Sequence, residues 1–289
     1  MLIEIILALL LGITAGTITG LFPGIHINLV AAGLLALVSG AYFSGIAPMI
    51  LVVFVVAMAV THTFIDFIPS VFLGAPEEDS FLAVLPGHQL LRQGKGYEAV
   101  VLTLYGSLAA LPIVLIFSLL FVYFLPMIFD FSRIFIPYVL VFVSLYLILK
   151  EEEITNALIV FAMAGFLGLL SFYLPVKEPL LPLLTGLFGT SALVVSLRAR
   201  LEIPKQKIKP LKEIKIKKKS FLTSVFAAAI SAPLCSFLPG LGAGQAAVIG
   251  SEISGNLGDD KKAFLFLVGA INTILIIKYY KLFLIPFIN

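Results

Sequence analysis

Tryptophan is absent from the 289 residues, cysteine occurs once, histidine three times, and charged side chains make up only 12%. Soluble domains carry about a quarter charged residues. Half that share, with 61% hydrophobic residues and a mean hydropathy of +1.14, makes lipid rather than water the solvent. The lone Cys235 excludes a disulfide framework. Without tryptophan, Phe and Tyr must supply any anchoring at the membrane surface. His26, His62 and His88 form neither HExxH nor a tight metal-ligand spacing, and no GxSxG elbow or GxxxxGK[ST] phosphate loop occurs. The expectation is therefore no enzyme, no metal, no cofactor and no ATP-driven motor. The first residues, MLIEIILALLLGI, lack the basic region of a secretory signal and read as a first membrane helix that is retained.

What the sequence does have is long apolar runs. In the bilayer core an unpaired backbone group costs several kcal/mol, which leaves helices or closed barrels. Runs such as LPIVLIFSLLFVYFLPMIF are helix-length and do not alternate, whereas barrel strands are about 10 residues and alternate. The predicted fold is an all-α polytopic integral membrane protein of about eight to ten membrane segments. Spans fall at 2–21, 46–66, 98–125, 134–149, 155–174, 180–197, 220–238 and 262–277, with half-helices at 25–39 and 241–250 after Pro-Gly breaks. Residues 1–197 form an N-terminal membrane half, 198–219 a basic linker and 220–289 a second repeat that is incomplete.

Ten of the 19 basic residues lie between Arg198 and Lys219, against only Glu202 and Glu213. Beside membrane helices such a block marks a cytoplasmic loop rather than a nucleic-acid site, so no nucleic-acid partner is expected. Counting back from it puts Lys150 and the pair Arg92/Lys95 inside and the loops 175–179 and 126–133 outside. The chain is thus expected to be a multi-pass protein of the cytoplasmic membrane, in contact with the lipid bilayer.

Two stretches look like copies. ITGLFPGIHINLVAAGLLAL is followed about forty residues on by AMAVTHTF; CSFLPGLGAGQAAVIGSEI is followed about thirty residues on by FLVGAINTI. Each has a span ending in Pro-Gly, a small-residue helix, and a span with a polar pair, Thr61-His62 or Asn272-Thr273. Repeats built on interrupted apolar segments point to a transporter's binding site. Pro23-Gly24 and Pro239-Gly240 remove backbone donors where helices should continue, freeing N–H and C=O groups that attract anions and cations. The plain alternative is a kink or small-residue packing. Gly242 and Gly244 would let a ligand approach the backbone. His26, Asn28 and Gln245 would orient an anionic group or serve only as hydrogen bonds between helices.

His62 and Asp66, four residues apart, share a helix face inside FVVAMAVTHTFIDFI. Ionisable groups within a span mark coupling sites by default, so Thr61, His62, Asp66 and Asn272 are candidates for ion or proton coupling. The alternative is a structural ion pair near the interface, because Pro69 should end the helix. Glu77, Glu78 and Asp79 after Pro76 read as an ordinary helix start. SFLAVLPGHQLLRQGKGYEAV should break again at Pro86-Gly87 and form a re-entrant or interfacial hairpin.

GITAGTITGLFPGIHINLVAAGLLAL resembles the Pro-Gly signature of the tripartite tricarboxylate transporter large permease (TctA) family. SVFLGAPEEDSFLAVLPGHQLLRQGKGYEAV is similar to that family's second motif, and SFLPGLGAGQAAVIGSE to its repeat in the second half. The likeness is to the shorter archaeal-type branch. The resemblance implies secondary carriage of a carboxylate, with an extracytoplasmic binding protein and a small membrane subunit as partners. It also implies further spans after the second repeat.

Together these readings predict a permease for a small anionic solute, a di- or tricarboxylate, driven by a coupling cation or proton. Rivals are a translocase of a lipid-linked phosphate, since helix N-termini and Arg92/Lys95 also suit phosphate, and a non-transporting scaffold subunit.

Overall fold

The structure, a computed structural model, describes residues 2–22, 47–73, 81–132, 134–175, 183, 185–190, 194, 203–237, 241–255 and 260–276. Every regular element among them is helical. Helix α1 is Leu2–Leu21, α2 Pro48–Ile65, α3 Phe67–Leu73, α4 Phe81–Arg92 and α5 Gly96–Ser132. Helix α6 is Ile136–Lys150, α7 Ile154–Phe172, α8 Lys218–Phe237, α9 Ala243–Ile253 and α10 Lys261–Leu275. A π turn at Thr185–Thr190 and a 3-10 turn at Leu211–Glu213 complete the set. Among the described residues, five helical stretches are long and apolar enough to cross a membrane: Leu2–Leu21, Met49–Leu73, Gly96–Ser118, Ile154–Phe172 and Lys218–Ser236. The protein is an all-α polytopic membrane protein.

The chain divides into two compact units, residues 1–119 with 188–289, and residues 120–187. In the smaller unit α6 packs on α7. The outer faces of these two helices are aliphatic and aromatic, with Val141, Phe142, Phe161 and Phe166 all exposed. Such faces are stable where the surroundings are hydrocarbon and costly in water.

In the larger unit α10 is the buried centre. From Leu265 to Leu275 every residue is buried, as befits a helix apolar on all sides except for Asn272 and Thr273. It touches α8, α9, α4 and α2. Small residues set how close these helices come. A Cβ on Gly106 of α5 would strike the Phe266 carbonyl, and one on Gly269 of α10 would strike the Thr103 carbonyl. Each glycine faces the backbone of the opposite helix, and Ser107 Oγ donates to Gly269 O at 3.1 Å across the same contact.

Helix α1 lies against α2 by the same device. A Cβ on Gly12 would sit 2.5 Å from Phe54 O, one on Gly16 would strike Met58 O, and one on Gly20 would be 3.1 Å from His62 O. Spaced four apart, these glycines form the small-residue stripe that lets membrane helices touch along their backbones.

Two sequence expectations need correction. Pro69 does not end its helix. It lacks the N–H that would reach the Ile65 carbonyl, yet the chain stays helical through Asp66, whose φ and ψ are −58° and −22°, and continues as α3. Nor does the chain break at Pro86-Gly87: α4 runs through both. Gly87 lets α4 approach α3, where a Cβ would lie 2.8 Å from Val71 Cγ2. That packing outweighs the local cost of the proline, about 3 kcal/mol. Helix α4 packs on α3.

Candidate functional site

Buried polar side chains gather where α1, α2 and α10 meet. The glycine stripe brings α1 near enough for the short Thr19 side chain to reach His62, with Oγ1 3.0 Å from Nδ1. Both residues are buried. One turn on, Asp66 stands at the junction of α2 and α3. The Asp66 amide donates to His62 O at 2.9 Å, and its carbonyl accepts from Ser70 Oγ at 2.8 Å. Its carboxylate points at α10, where Asn272 Nδ2 donates to Asp66 Oδ2 at 3.3 Å and to the Thr63 carbonyl at 3.5 Å. Asp66 is 1% exposed and Asn272 3%. Beside Asn272, Thr273 is fully buried, and its Oγ1 has no hydrogen-bond partner among the described residues.

A buried carboxylate is stable only when paired or hydrogen-bonded. Here the Asn272 amide of a distant helix donates to it and also reaches the Thr63 carbonyl, while the Ser70 hydroxyl caps the Asp66 main-chain carbonyl. The set is rich in oxygen, the donor atom that hard cations take. The amide stands between two acceptor oxygens, a position in which a positive charge would be favoured.

Of the predicted coupling residues, the structure therefore brings Asp66 and Asn272 together and places His62 on the neighbouring turn. Thr61 lies elsewhere: it packs on α1 at Gly16, where a Cβ would be 2.8 Å from its own. The threonine beside Asn272 is Thr63, two residues on. Thr273 belongs to the polar pair Asn272-Thr273 of the second repeat, whereas Thr19 and Thr63 carry no motif that singles them out in the sequence. The four-residue glycine spacing before Thr19 is the signal that could have found it.

At the start of the second small-residue helix, Gly242 and Gly244 are buried and Gln245 half-buried. Gln245 Oε1 accepts from the Gly242 amide at 2.9 Å, closing the first turn of α9. Pro23, Gly24, His26, Asn28, Pro239 and Gly240 lie outside the described residues. Glu77, Glu78 and Asp79 do too.

A second charged cluster sits at the opposite end of α10, about 15 Å away at 1.5 Å per residue. Glu98, in the first turn of α5, is 2% exposed. Lys262 Nζ of α10 donates to its Oε1, and Lys209 Nζ lies 3.7 Å from its Oε2. Neither Glu98 nor Lys262 carried a motif.

The apolar helical spans define a polytopic α-helical membrane protein. The sequence matches the tripartite tricarboxylate transporter TctA family over residues 6–278, and the chain belongs to that family. An uncharacterized protein of Methanocaldococcus jannaschii is 36% identical over 258 residues, 86% of this chain. The match covers 61% of that relative's length. No solved structure matches the chain.

Proposed function

We propose that this chain is the membrane subunit of a secondary carrier moving a small anionic solute, a di- or tricarboxylate, together with a cation or proton. The observation that carries the coupling half is the buried contact between Asp66 and Asn272. An ionisable group kept inside the membrane and tied to a second helix is costly unless it is used. On this reading the cation or proton sits at the Asp66 carboxylate near the Thr63 carbonyl, with the Asn272 amide positioning both oxygens and His62 alongside.

The solute is assigned to the two Pro-Gly breaks. Backbone amides after Pro23-Gly24 and Pro239-Gly240 would hold its carboxylate, and His26, Asn28 and Gln245 would orient it. Gly242 and Gly244 would allow close approach. Gln245 has its Oε1 on the Gly242 amide, so Nε2 is the half of its side chain that would meet an anion. Family membership supports the carboxylate class and, as partners, an extracytoplasmic binding protein and a small membrane subunit. The basic segment 198–219 is placed on the cytoplasmic side by the positive-inside rule.

The test is uptake by the purified chain in liposomes, with labelled di- and tricarboxylates under an inward sodium or proton gradient. Accumulation that collapses with the gradient, and in Asp66→Asn, supports the reading. Absence of uptake across the panel, or an Asp66→Asn chain as active as the parent, overturns it.

A further inference from the structure

The basic segment before α8 is a built strap rather than a loose linker. Apart from the Leu211–Glu213 turn, residues 203–217 form no regular secondary structure. Their inner side is fastened to the α4–α5 turn and to α5. Gln206 accepts from the Gly96 amide at 2.7 Å and donates to Leu91 O at 3.3 Å. The Lys207 amide donates to Gly94 O at 2.8 Å, and Tyr105 Oη donates to Leu211 O at 2.8 Å. Gly94 takes φ +72°, the left-handed turn conformation that glycine favours. Lys209 turns inward to Glu98, and Ile214 is 3% exposed.

The outer side alternates between two chemistries. Ile208 is 78% exposed, and Ile203 and Leu211 are each 49% exposed. Lys205, Lys207, Lys212 and Lys215 are exposed between and beside them. The strap is pinned to the start of the span Gly96–Ser118 and leads directly into the span Lys218–Ser236. A segment held at the ends of two spans lies at headgroup depth.

We propose that this outer face is a binding surface for anionic lipid, with Ile203, Ile208 and Leu211 seated in the headgroup–acyl boundary and the four lysines on lipid phosphates. Aliphatic side chains that would be costly in water gain by entering the interface, and each lysine adds about 1 kcal/mol near an anionic leaflet. An acidic protein would also attract the lysines. The bilayer is favoured because the spans on either side already hold the strap against it. The inference does not depend on what the protein transports.

The test is an environment-sensitive fluorophore on Ile208→Cys in the full chain, reconstituted in bilayers of neutral lipid or neutral lipid with phosphatidylglycerol. Cys235 is 1% exposed, and the parent chain treated identically gives the background. Blue-shifted emission and quenching by spin-labelled lipid should appear with the anionic bilayer and weaken at high salt. Each lysine changed to Gln among Lys205, Lys207, Lys212 and Lys215 should lower the ratio of seated to unseated strap about fivefold. A water-like emission in both bilayers overturns the proposal, as does equal quenching in both. A shift that requires added protein and ignores lipid charge assigns the face to a protein partner and overturns it as well.

Discussion

Asn272 donates its side-chain amide to the Asp66 carboxylate at 3.3 Å, joining α10 to the α2–α3 junction across 206 residues of chain. Asp66 carries the charge and Asn272 positions it, so the two should fail differently. In reconstituted vesicles, Asp66→Asn should abolish the dependence of uptake on the driving cation. Asn272→Ala should keep that dependence but weaken cation affinity about 10–100-fold, the range seen when a ligand loses its supporting hydrogen bond. Cation titrations of initial uptake rate separate the two outcomes. Identical titration curves for Asn272→Ala and the parent would show that the amide positions nothing.

The extents of α1, α2, α6, α7, α8 and α10 were legible in the sequence because apolar length sets a span with little help from context. The site was only partly legible. Asp66 and Asn272 stand out as polar groups in apolar runs, yet nothing in the sequence says that they meet. Thr61 and Thr63 lie on opposed faces of one helix, so choosing between them requires knowing where α10 packs. Glu98 and Lys262 are 164 residues apart, and a lone acid opening a helix looks like ordinary capping. Pro86 misled for the opposite reason: its local cost is real, but contact between α4 and α3 overrides it.

The glycine contacts make a paired prediction about stability. Gly16→Ala drives a methyl into the Met58 carbonyl and Thr61. It should cost about 1–3 kcal/mol, as overpacked cores do, and it should disturb the Thr19–His62 contact one turn away. A methyl added at Gly165 on α7 would meet nothing within 4 Å. Gly165→Ala should be neutral or stabilise by about 0.5–1 kcal/mol through helix propensity. Thermal unfolding in detergent should lower the midpoint only for Gly16→Ala.

Glu98 ties the strap to α10 through Lys209 and Lys262, and that tie is measurable without a transport assay. Both lysine side chains are partly exposed, at 42% and 40%, so each pair contributes only about 0.2–1 kcal/mol after screening. Glu98→Gln should therefore raise the open population of residues 203–217 by about two- to fivefold. Trypsin cuts after lysine, and when opening is fast its rate follows that population. Cleavage within the strap in neutral detergent should accelerate by the same factor, while cleavage elsewhere stays unchanged. High salt should speed the parent toward the variant and leave Glu98→Gln unaffected.

Pro69 supplies the last prediction, because it separates stability from function. Asp66 between α2 and α3 keeps helical φ and ψ of −58° and −22°, its amide bonded to His62 O and its carbonyl to the Ser70 amide, so the ladder bond that Pro69 removes is the one to Ile65 O. Alanine at position 69 would return the missing donor to the Ile65 carbonyl and relieve the ring's clash with it, a local cost of about 3 kcal/mol. A regained bond one turn after Asp66 would also tighten the helix there and shift the Asp66 carboxylate relative to Asn272. Pro69→Ala should therefore unfold at the same or a higher temperature than the parent while losing cation-dependent uptake. A lower midpoint with intact cation dependence would mean that the proline serves packing alone and that the missing ladder bond has no part in placing Asp66.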